Sequence, residues 1–145
     1  MEKQFEVVIN EIEGEEPSIV VKVLHKGVAI FVDVAPKTDE TMQVIEQWRK
    51  FVETCDGALS TIVVDPQTNE PYATVLFLKI LKDTAKYRIY EYRLNVYDSG
   101  WIVFDKEQGK FLLLLESPKD LSDEEISKIV NEQKVMEIFT LHVYK

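Results

Sequence analysis

The segment HKGVAIFVDVAPKTDETMQVIEQWRKFVETCDG, residues 25–57, decides the class of fold because it places a β-strand directly before an amphipathic α-helix. The apolar run at 28–34 has the length of a strand and follows a glycine turn. Pro36 stops that strand, and Thr38 or Asp39 can cap the helix that follows. The helix carries one apolar stripe at spacings of three and four residues, formed by Met42, Ile45, Trp48, Val52 and Cys55.

Strand patterns fill most of the remaining chain, and turn-forming residues separate them, so neighbouring strands are expected to pair as antiparallel hairpins. A second helix begins at Ser122, which forms a capping box with Glu125, while Leu121 and Ile126 occupy the positions of a hydrophobic staple. The predicted strands span residues 4–12, 18–24, 28–34, 59–64, 72–81, 87–97, 101–105, 110–116 and 136–144. The run at 111–115 is apolar on both faces, which predicts a strand inside the sheet with Leu113 buried. The sequence therefore predicts an α+β fold with a mainly antiparallel sheet and two helices.

The order of these elements indicates an internal repeat. Residues 19–37 align with residues 101–119, and the alignment places the turn glycine Gly27 over Gly109. Both segments continue into a capped helix and then a strand. We therefore predict a tandem βββαβ duplication within one domain, residues 1–145. Its halves, at about 3–65 and 86–144, share one core and are linked by the strand at 72–81.

Length and composition are typical of a chain that folds without cross-links. The protein has 145 residues, 46% of them hydrophobic, and Cys55 is its single cysteine. One thiol cannot form an internal disulfide, which excludes a secreted disulfide framework and a multi-cysteine metal site. The sequence contains no signal-peptide pattern and no apolar run of membrane-spanning length. We expect a cytoplasmic location.

The net charge of −9 is concentrated in the first half of the chain. Residues 1–72 hold 6 Lys and Arg against 14 Asp and Glu, whereas residues 73–145 hold 11 against 12. This charge repels phosphates and anionic lipids, so direct binding to nucleic acid or to a membrane is not expected. It favours a basic protein partner, and the residues predicted to contact that partner are Glu11, Glu13, Glu15, Glu16, Asp39 and Glu40. A solvated surface that keeps a small protein soluble is the alternative interpretation.

The sequence contains no catalytic or cofactor motif. His25 and His142 have no partner nearby in the sequence for acid–base catalysis, and neither belongs to a metal-ligand spacing. Cys55 ends the first helix, where the helix dipole disfavours a thiolate, so it is interpreted as a packed thiol. The five glycines are isolated, which excludes a phosphate-binding glycine loop. The sequence therefore predicts no catalytic residue, no metal and no cofactor, and it favours a function other than catalysis.

Aromatic residues between positions 87 and 101 form a second candidate contact surface. By strand alternation, Tyr90 and Tyr92 are expected to face the core, while Tyr87 and Tyr97 are expected on the polar side. Tyrosine and tryptophan are favoured at protein interfaces. We therefore predict that Tyr87, Tyr97 and Trp101 contact a partner.

Three functional hypotheses remain open. In overall character the chain resembles a broad group of bacterial or phage inhibitor proteins, such as toxin-immunity and anti-defence proteins. That resemblance implies a non-enzymatic protein that blocks a basic surface of another protein, for example the nucleic-acid groove of a nuclease, and this is the leading hypothesis. The first alternative is a small-ligand-binding domain or an enzyme with dispersed site residues. The second is a homo-oligomeric structural protein joined through a strand edge, which leaves a homodimer open. A deep apolar pocket would favour ligand binding, and a flat acidic face would favour the inhibitor.

Overall fold

A computed structural model describes residues 4–65, 67–95 and 98–144 of the protein. It has two helices and ten strands in antiparallel sheets, which confirms the predicted α+β class. In chain order the elements are β1 (Phe5–Ile12), β2 (Ser18–His25), β3 (Val28–Pro36), α1 (Asp39–Thr54), β4 (Gly57–Val64), β5 (Pro71–Asp83), β6 (Tyr87–Arg93), β7 (Ser99–Asp105), β8 (Lys110–Leu114), α2 (Asp123–Asn131), β9 (Val135–Glu137) and β10 (Phe139–Tyr144). Neither helix of the described ranges is long and apolar enough to cross a membrane.

The first three strands form a sheet of their own, in the order β1-β2-β3. Helix α1 follows and is capped by Thr38, whose hydroxyl accepts a hydrogen bond from the backbone N–H of Thr41 at 3.1 Å. The apolar stripe of α1 packs between this sheet and strand β5 of the second sheet, with Trp48 fully buried as predicted. This first core joins the three-stranded sheet to the rest of the molecule.

The second sheet curls round a core that residues of β4 to β8 share with Ile138, and we call this curled sheet the barrel. Its strand order is β10-β4-β5-β6-β7-β8-β9, so its two edge strands are consecutive in the chain and only Ile138 lies between them. The N–H of Ile138 donates to the carbonyl oxygen of Phe111 in β8 at 3.0 Å, and the next residue, Phe139, pairs with Ile62 in β4. The segment 135–144 thus leaves one edge of the sheet and joins the other. A single strand was predicted at 136–144, and the structure corrects it to two strands joined at this bend.

The barrel wall is apolar on both sides, because each side faces a core. In β5, Val75 and Phe77 point to the core beneath α1, whereas Leu76 and Leu78 point into the barrel. The barrel interior also receives buried residues from β4, β6 and β7, namely Leu59, Tyr90 and Ile102. On the far side, α2 covers β6, β7 and β8 with a third core that contains Ile126 and Ile129.

Helix α2 begins where its capping box predicted. The Ser122 hydroxyl accepts from the backbone N–H of Glu125 at 3.1 Å, and Leu121 packs with Ile126 in the same core. The other half of the predicted capping box is replaced, because the Ser122 N–H donates to Asp120 Oδ1 at 2.9 Å. The preceding strand β8 is flanked by β7 and β9, as its apolar run predicted. Leu113 in that strand was expected to be buried and is only half-buried. It points into the open end of the barrel, where a cavity replaces close packing.

The internal duplication is not confirmed. The order of elements is the predicted one, and both turn glycines have positive φ, +80° at Gly27 and +68° at Gly109. The strand pairings differ between the halves, however. Strand β4, which follows α1, pairs with β5 and β10 and joins no strand of the first sheet, whereas β9, which follows α2, pairs with β8. The two helices therefore follow similar meanders but lead into different pairings.

Candidate functional site

The structure brings the predicted acidic residues together at one corner of the molecule. Four of them lie at the β1–β2 hairpin and two begin α1. The N–H of Lys37 donates to the carbonyl oxygen of Pro17 at 3.0 Å, and the Lys37 ammonium contacts a carboxylate oxygen of Glu11 at 2.8 Å. These contacts join the hairpin to the helix start. All six residues are exposed, and we call them the acidic corner: Glu11, Glu13, Glu15, Glu16, Asp39 and Glu40.

The acidic corner is only partly neutralised. The hydrogen bond and charge of Glu11 raise the pKa of Lys37, and the charge of Glu13 adds to this effect. Lys37 is thus one cation among six carboxylates, which leaves the corner negative at neutral pH. Further along α1, Arg49 pairs with Glu46 at 3.5 Å and with Glu53 at 3.2 Å, so the acidic character weakens away from the corner.

An exposed apolar surface adjoins the acidic corner. The three-stranded sheet buries one face against α1, and alternation along its strands turns the other face to solvent. Val32 and Val34 are 56% and 59% exposed, and Ile12 is 51% exposed. Ile12 pairs with Ser18 next to the turn that carries Glu13, Glu15 and Glu16, so the exposed face adjoins this part of the acidic corner. Glu11 alternates to the opposite face of the sheet, on which α1 packs. We call this surface the outer sheet face: Val8, Ile12, Val20, Val32 and Val34.

The predicted aromatic contact surface is not assembled. Tyr87 is 2% exposed and lies beneath α2, where its hydroxyl is 2.9 Å from that of Ser127. The expectation that it lies on a wet face was wrong, because α2 covers the outside of the barrel wall there. Trp101 is half-buried and packs against the same core. Tyr97 lies outside the described residues. Tyr90 and Tyr92 face the barrel interior, as predicted.

A cavity of about 660 Å³ opens at one end of the barrel. It lies where β4 and β6 end, β5 and β7 begin, and the end of β8 meets β9. Its apolar lining includes Val63, Leu76, Leu94, Leu113, Leu115 and Met136, and its polar rim includes Asp65, Gln67, Asp98 and Ser99. We call this cavity the barrel mouth. Sequence reasoning missed it, because its residues are spread from position 63 to position 136 and only barrel closure brings them together.

Two tyrosines give the barrel mouth its shape and polarity. Tyr92 lies across from Gly100, where an added Cβ would be 2.8 Å from the tyrosine Cε2, so the glycine leaves room for the ring. Burial raises the pKa of Tyr92, and the nearby charge of Asp98 raises it further. Burial and the charges of Asp65 and Asp98 likewise raise the pKa of Tyr72. Both phenols therefore stay neutral at physiological pH, in a negative local field.

The two histidines both contact Tyr144, and the exposed His142 has its ring centroid 4.6 Å from that of Tyr144. His25 stacks against Phe5 and contacts Tyr144, with ring centroids 5.2 Å apart in each pair, and its Nδ1 is 3.1 Å from the carbonyl oxygen of Gln4. Cys55 is buried as predicted, and burial raises the pKa of its thiol to about 11. Within residues 4–65, 67–95 and 98–144, no group of three or more His, Cys, Asp or Glu is placed to hold a metal ion.

The molecule thus has an acidic corner beside an exposed apolar sheet face and, separately, a cavity with a largely apolar lining. Comparison with known proteins does not choose between them: no family model matches the chain, and no curated protein or solved structure is similar enough to be a match.

Proposed function

We propose that this protein is a non-enzymatic binding protein that blocks a basic surface of another protein. The observation that carries the proposal is the continuity of the outer sheet face with the acidic corner. A protein interface typically has an apolar centre and a polar rim. Here the exposed valines supply the centre, and the glutamates of the hairpin supply a rim of one sign.

Charge complementarity sets the chemistry of the partner. A surface of six carboxylates and one lysine attracts a basic partner over roughly 10 Å at 0.1 M salt and adds to its association rate. The nucleic-acid groove of a nuclease or a related effector has this chemistry. The proposal therefore extends to an inhibitor of the immunity or anti-defence kind, from a bacterial or phage source, acting in the cytoplasm.

Two properties of the outer sheet face support docking over simple solvation. Val20 pairs with Val34 across β2 and β3, so these two apolar residues lie side by side. Lys22 lies between Val8 and Val32 and adds one cation to this face. A solvated surface needs no such contiguous patch, and patches of this kind often mark interaction sites on soluble proteins. Six of the 14 acidic residues in positions 1–72 belong to the acidic corner, which adjoins this face.

The test combines partner capture with kinetics on the purified pair. Wild type and a Val32→Arg/Val34→Arg variant are immobilised and exposed to lysate of the native host, and a protein retained only by wild type is purified. Both valines are more than half exposed, so the variant is expected to fold. We expect that protein to carry a basic surface and to bind wild type directly. Capture of the same set of proteins by both baits would refute docking at this face.

Charge steering is tested with two variants of equal charge. Glu13→Lys/Glu15→Lys/Glu16→Lys changes the net charge from −9 to −3 while it leaves the Glu11–Lys37 pair intact. Glu107→Lys/Glu124→Lys/Glu132→Lys makes the same change far from the corner along the chain. At low salt the first variant should associate roughly tenfold more slowly with the purified partner than the second, because steering depends on where the charge lies. Equal association rates would exclude the acidic corner as the steering element.

A further inference from the structure

The barrel mouth has the size and the composition of a small-molecule site, and it is formed by residues separate from those of the outer sheet face. Its volume of about 660 Å³ lies within the roughly 300–1,000 Å³ typical of ligand pockets. Leu76 is fully buried within the mouth, and Leu113 is half-buried in its wall. An apolar group of moderate size can therefore move from water into the barrel mouth.

The charged groups among the described lining residues of the barrel mouth are all negative. Among its described lining residues, Asp65 and Asp98 are carboxylates, and none is Lys, Arg or His. Neither carboxylate forms an ion pair with a described residue. Their hydrogen bonds are with neighbouring groups: Asp65 Oδ1 accepts from the N–H of Gln67 and Asp98 Oδ2 accepts from the side-chain amide of Asn95, each at 2.8 Å. No described residue thus pairs with their negative charge at the entrance.

The two tyrosines add further contacts for a positive group. Their phenolic oxygens can accept hydrogen bonds, and their ring faces attract cations. The ring of Tyr92 occupies the space that Gly100 leaves free, and Tyr72 lies at the exposed rim. A carboxylate or phosphate ligand would meet two carboxylates and, among the described lining residues, no cation, which disfavours anions.

We propose that the barrel mouth binds a small amphiphilic amine, with its apolar ring or chain inside the barrel and its protonated nitrogen between Asp65 and Asp98. This site is independent of the protein-docking surface. A molecule bound there places its hydrocarbon against Leu76 and Leu113 and its ammonium at the rim.

A series of three probes with one hydrocarbon body tests the proposal: phenylbutylamine, phenylbutanol and phenylbutyrate, which are cationic, neutral and anionic at pH 7. Dissociation constants are measured by calorimetry, and the site is located by amide shifts in NMR spectra. We expect the amine to bind about tenfold more tightly than the alcohol, since charge-assisted hydrogen bonds are roughly twice as strong as neutral ones. The carboxylate should bind most weakly, and the shifts should cluster at the barrel mouth.

Three variants separate the contributions of charge and shape. Asp65→Asn/Asp98→Asn keeps an oxygen acceptor at each position. In this variant the affinity for the amine should fall to the affinity for the alcohol. The affinity for the alcohol should stay unchanged, which would show that the barrel mouth is intact. Glu107→Gln/Glu124→Gln removes the same charge elsewhere and should leave the order of the probes as in wild type. Leu115→Trp, at an exposed rim position, should weaken all three probes together.

Each of the other results would overturn the proposal. Failure of all three probes to bind at millimolar concentration would exclude a ligand site in the barrel mouth. Equal affinities for the amine and the alcohol, or an amine preference that survives in Asp65→Asn/Asp98→Asn, would exclude recognition of a cation there. Amide shifts confined to other parts of the molecule would place the binding elsewhere.

Discussion

Replacing Trp48 with alanine should remove the contact that holds three parts of the fold together. The indole is fully buried in α1, with its ring centroid 5.7 Å from that of Phe31 in the three-stranded sheet and 6.0 Å from that of Phe77 in the barrel wall. Complete truncation of a buried Trp side chain typically costs about 3–5 kcal/mol. Because a domain is stable by only about 5–15 kcal/mol, the variant should lose a large fraction of its stability.

Trp48→Phe should cost less than half as much as Trp48→Ala. The indole Nε1–H is buried and has no hydrogen-bond acceptor among the described residues. Phenylalanine keeps most of the ring volume and removes this unpaired donor, whose burial is itself unfavourable by about 1–3 kcal/mol. The free energy of unfolding should therefore decrease from wild type to Trp48→Phe to Trp48→Ala, and the first decrease should be the smaller one.

Guanidinium denaturation followed by circular dichroism measures both effects without a tryptophan reporter. With a slope of roughly 4 kcal/mol per molar, Trp48→Ala should lower the midpoint by about 1 M. Phe139→Ala is the control, because its ring is 65% exposed and its loss should change stability by less than about 0.5 kcal/mol. A Trp48→Ala midpoint equal to that of wild type would refute the packing of α1 described here.

Three further predictions concern a thiol, a close backbone approach and a helix cap. Because the pKa of Cys55 is raised from 9.0 to about 11, the protonated thiol stabilises the fold fully below pH 9, and the free energy of unfolding should fall from pH 9 to 11. Urea titrations at each pH measure this fall, which should be smaller in Cys55→Ala. Gly57→Ala would place a Cβ 2.8 Å from the carbonyl oxygen of Tyr144, so we expect it to loosen the β4–β10 pairing, and hydrogen exchange of the β10 amides should show it. Ser122→Ala removes the cap contact to the N–H of Glu125 and should cost about 1 kcal/mol by thermal denaturation, whereas Ser122→Asp should restore it.

Local rules predicted the parts of the fold that depend on neighbours in sequence. The caps at Thr38 and Ser122 were predicted from spacing, since a cap satisfies donors only three residues away. The burial of Trp48 followed from the helical stripe of α1. In each of these cases the chemistry that decides the structure lies within one or two turns of the chain.

Features that depend on distant pairing could not be predicted. Strand alternation assigned Tyr87 to the polar side because it cannot show that a helix 35 or more residues later covers that side. Barrel closure was missed for the same reason, and with it the barrel mouth, whose carboxylates Asp65 and Asp98 come from separate turns. The acidic corner was the exception, since four of its six residues belong to one hairpin.

The bend at Ile138 has a consequence for biosynthesis. The hydroxyl of Thr61 in β4 donates to the carbonyl oxygen of Phe139 at 2.6 Å, a contact between residues 78 positions apart along the chain. On a ribosome that adds about 5–20 residues per second, β4 would wait several seconds for this partner, while the β1–β3 meander is already complete. During that interval the nascent barrel is an open sheet with an unpaired edge at β4. A chaperone that shields exposed strand edges would therefore act on this chain late in translation, after the acidic corner has already formed.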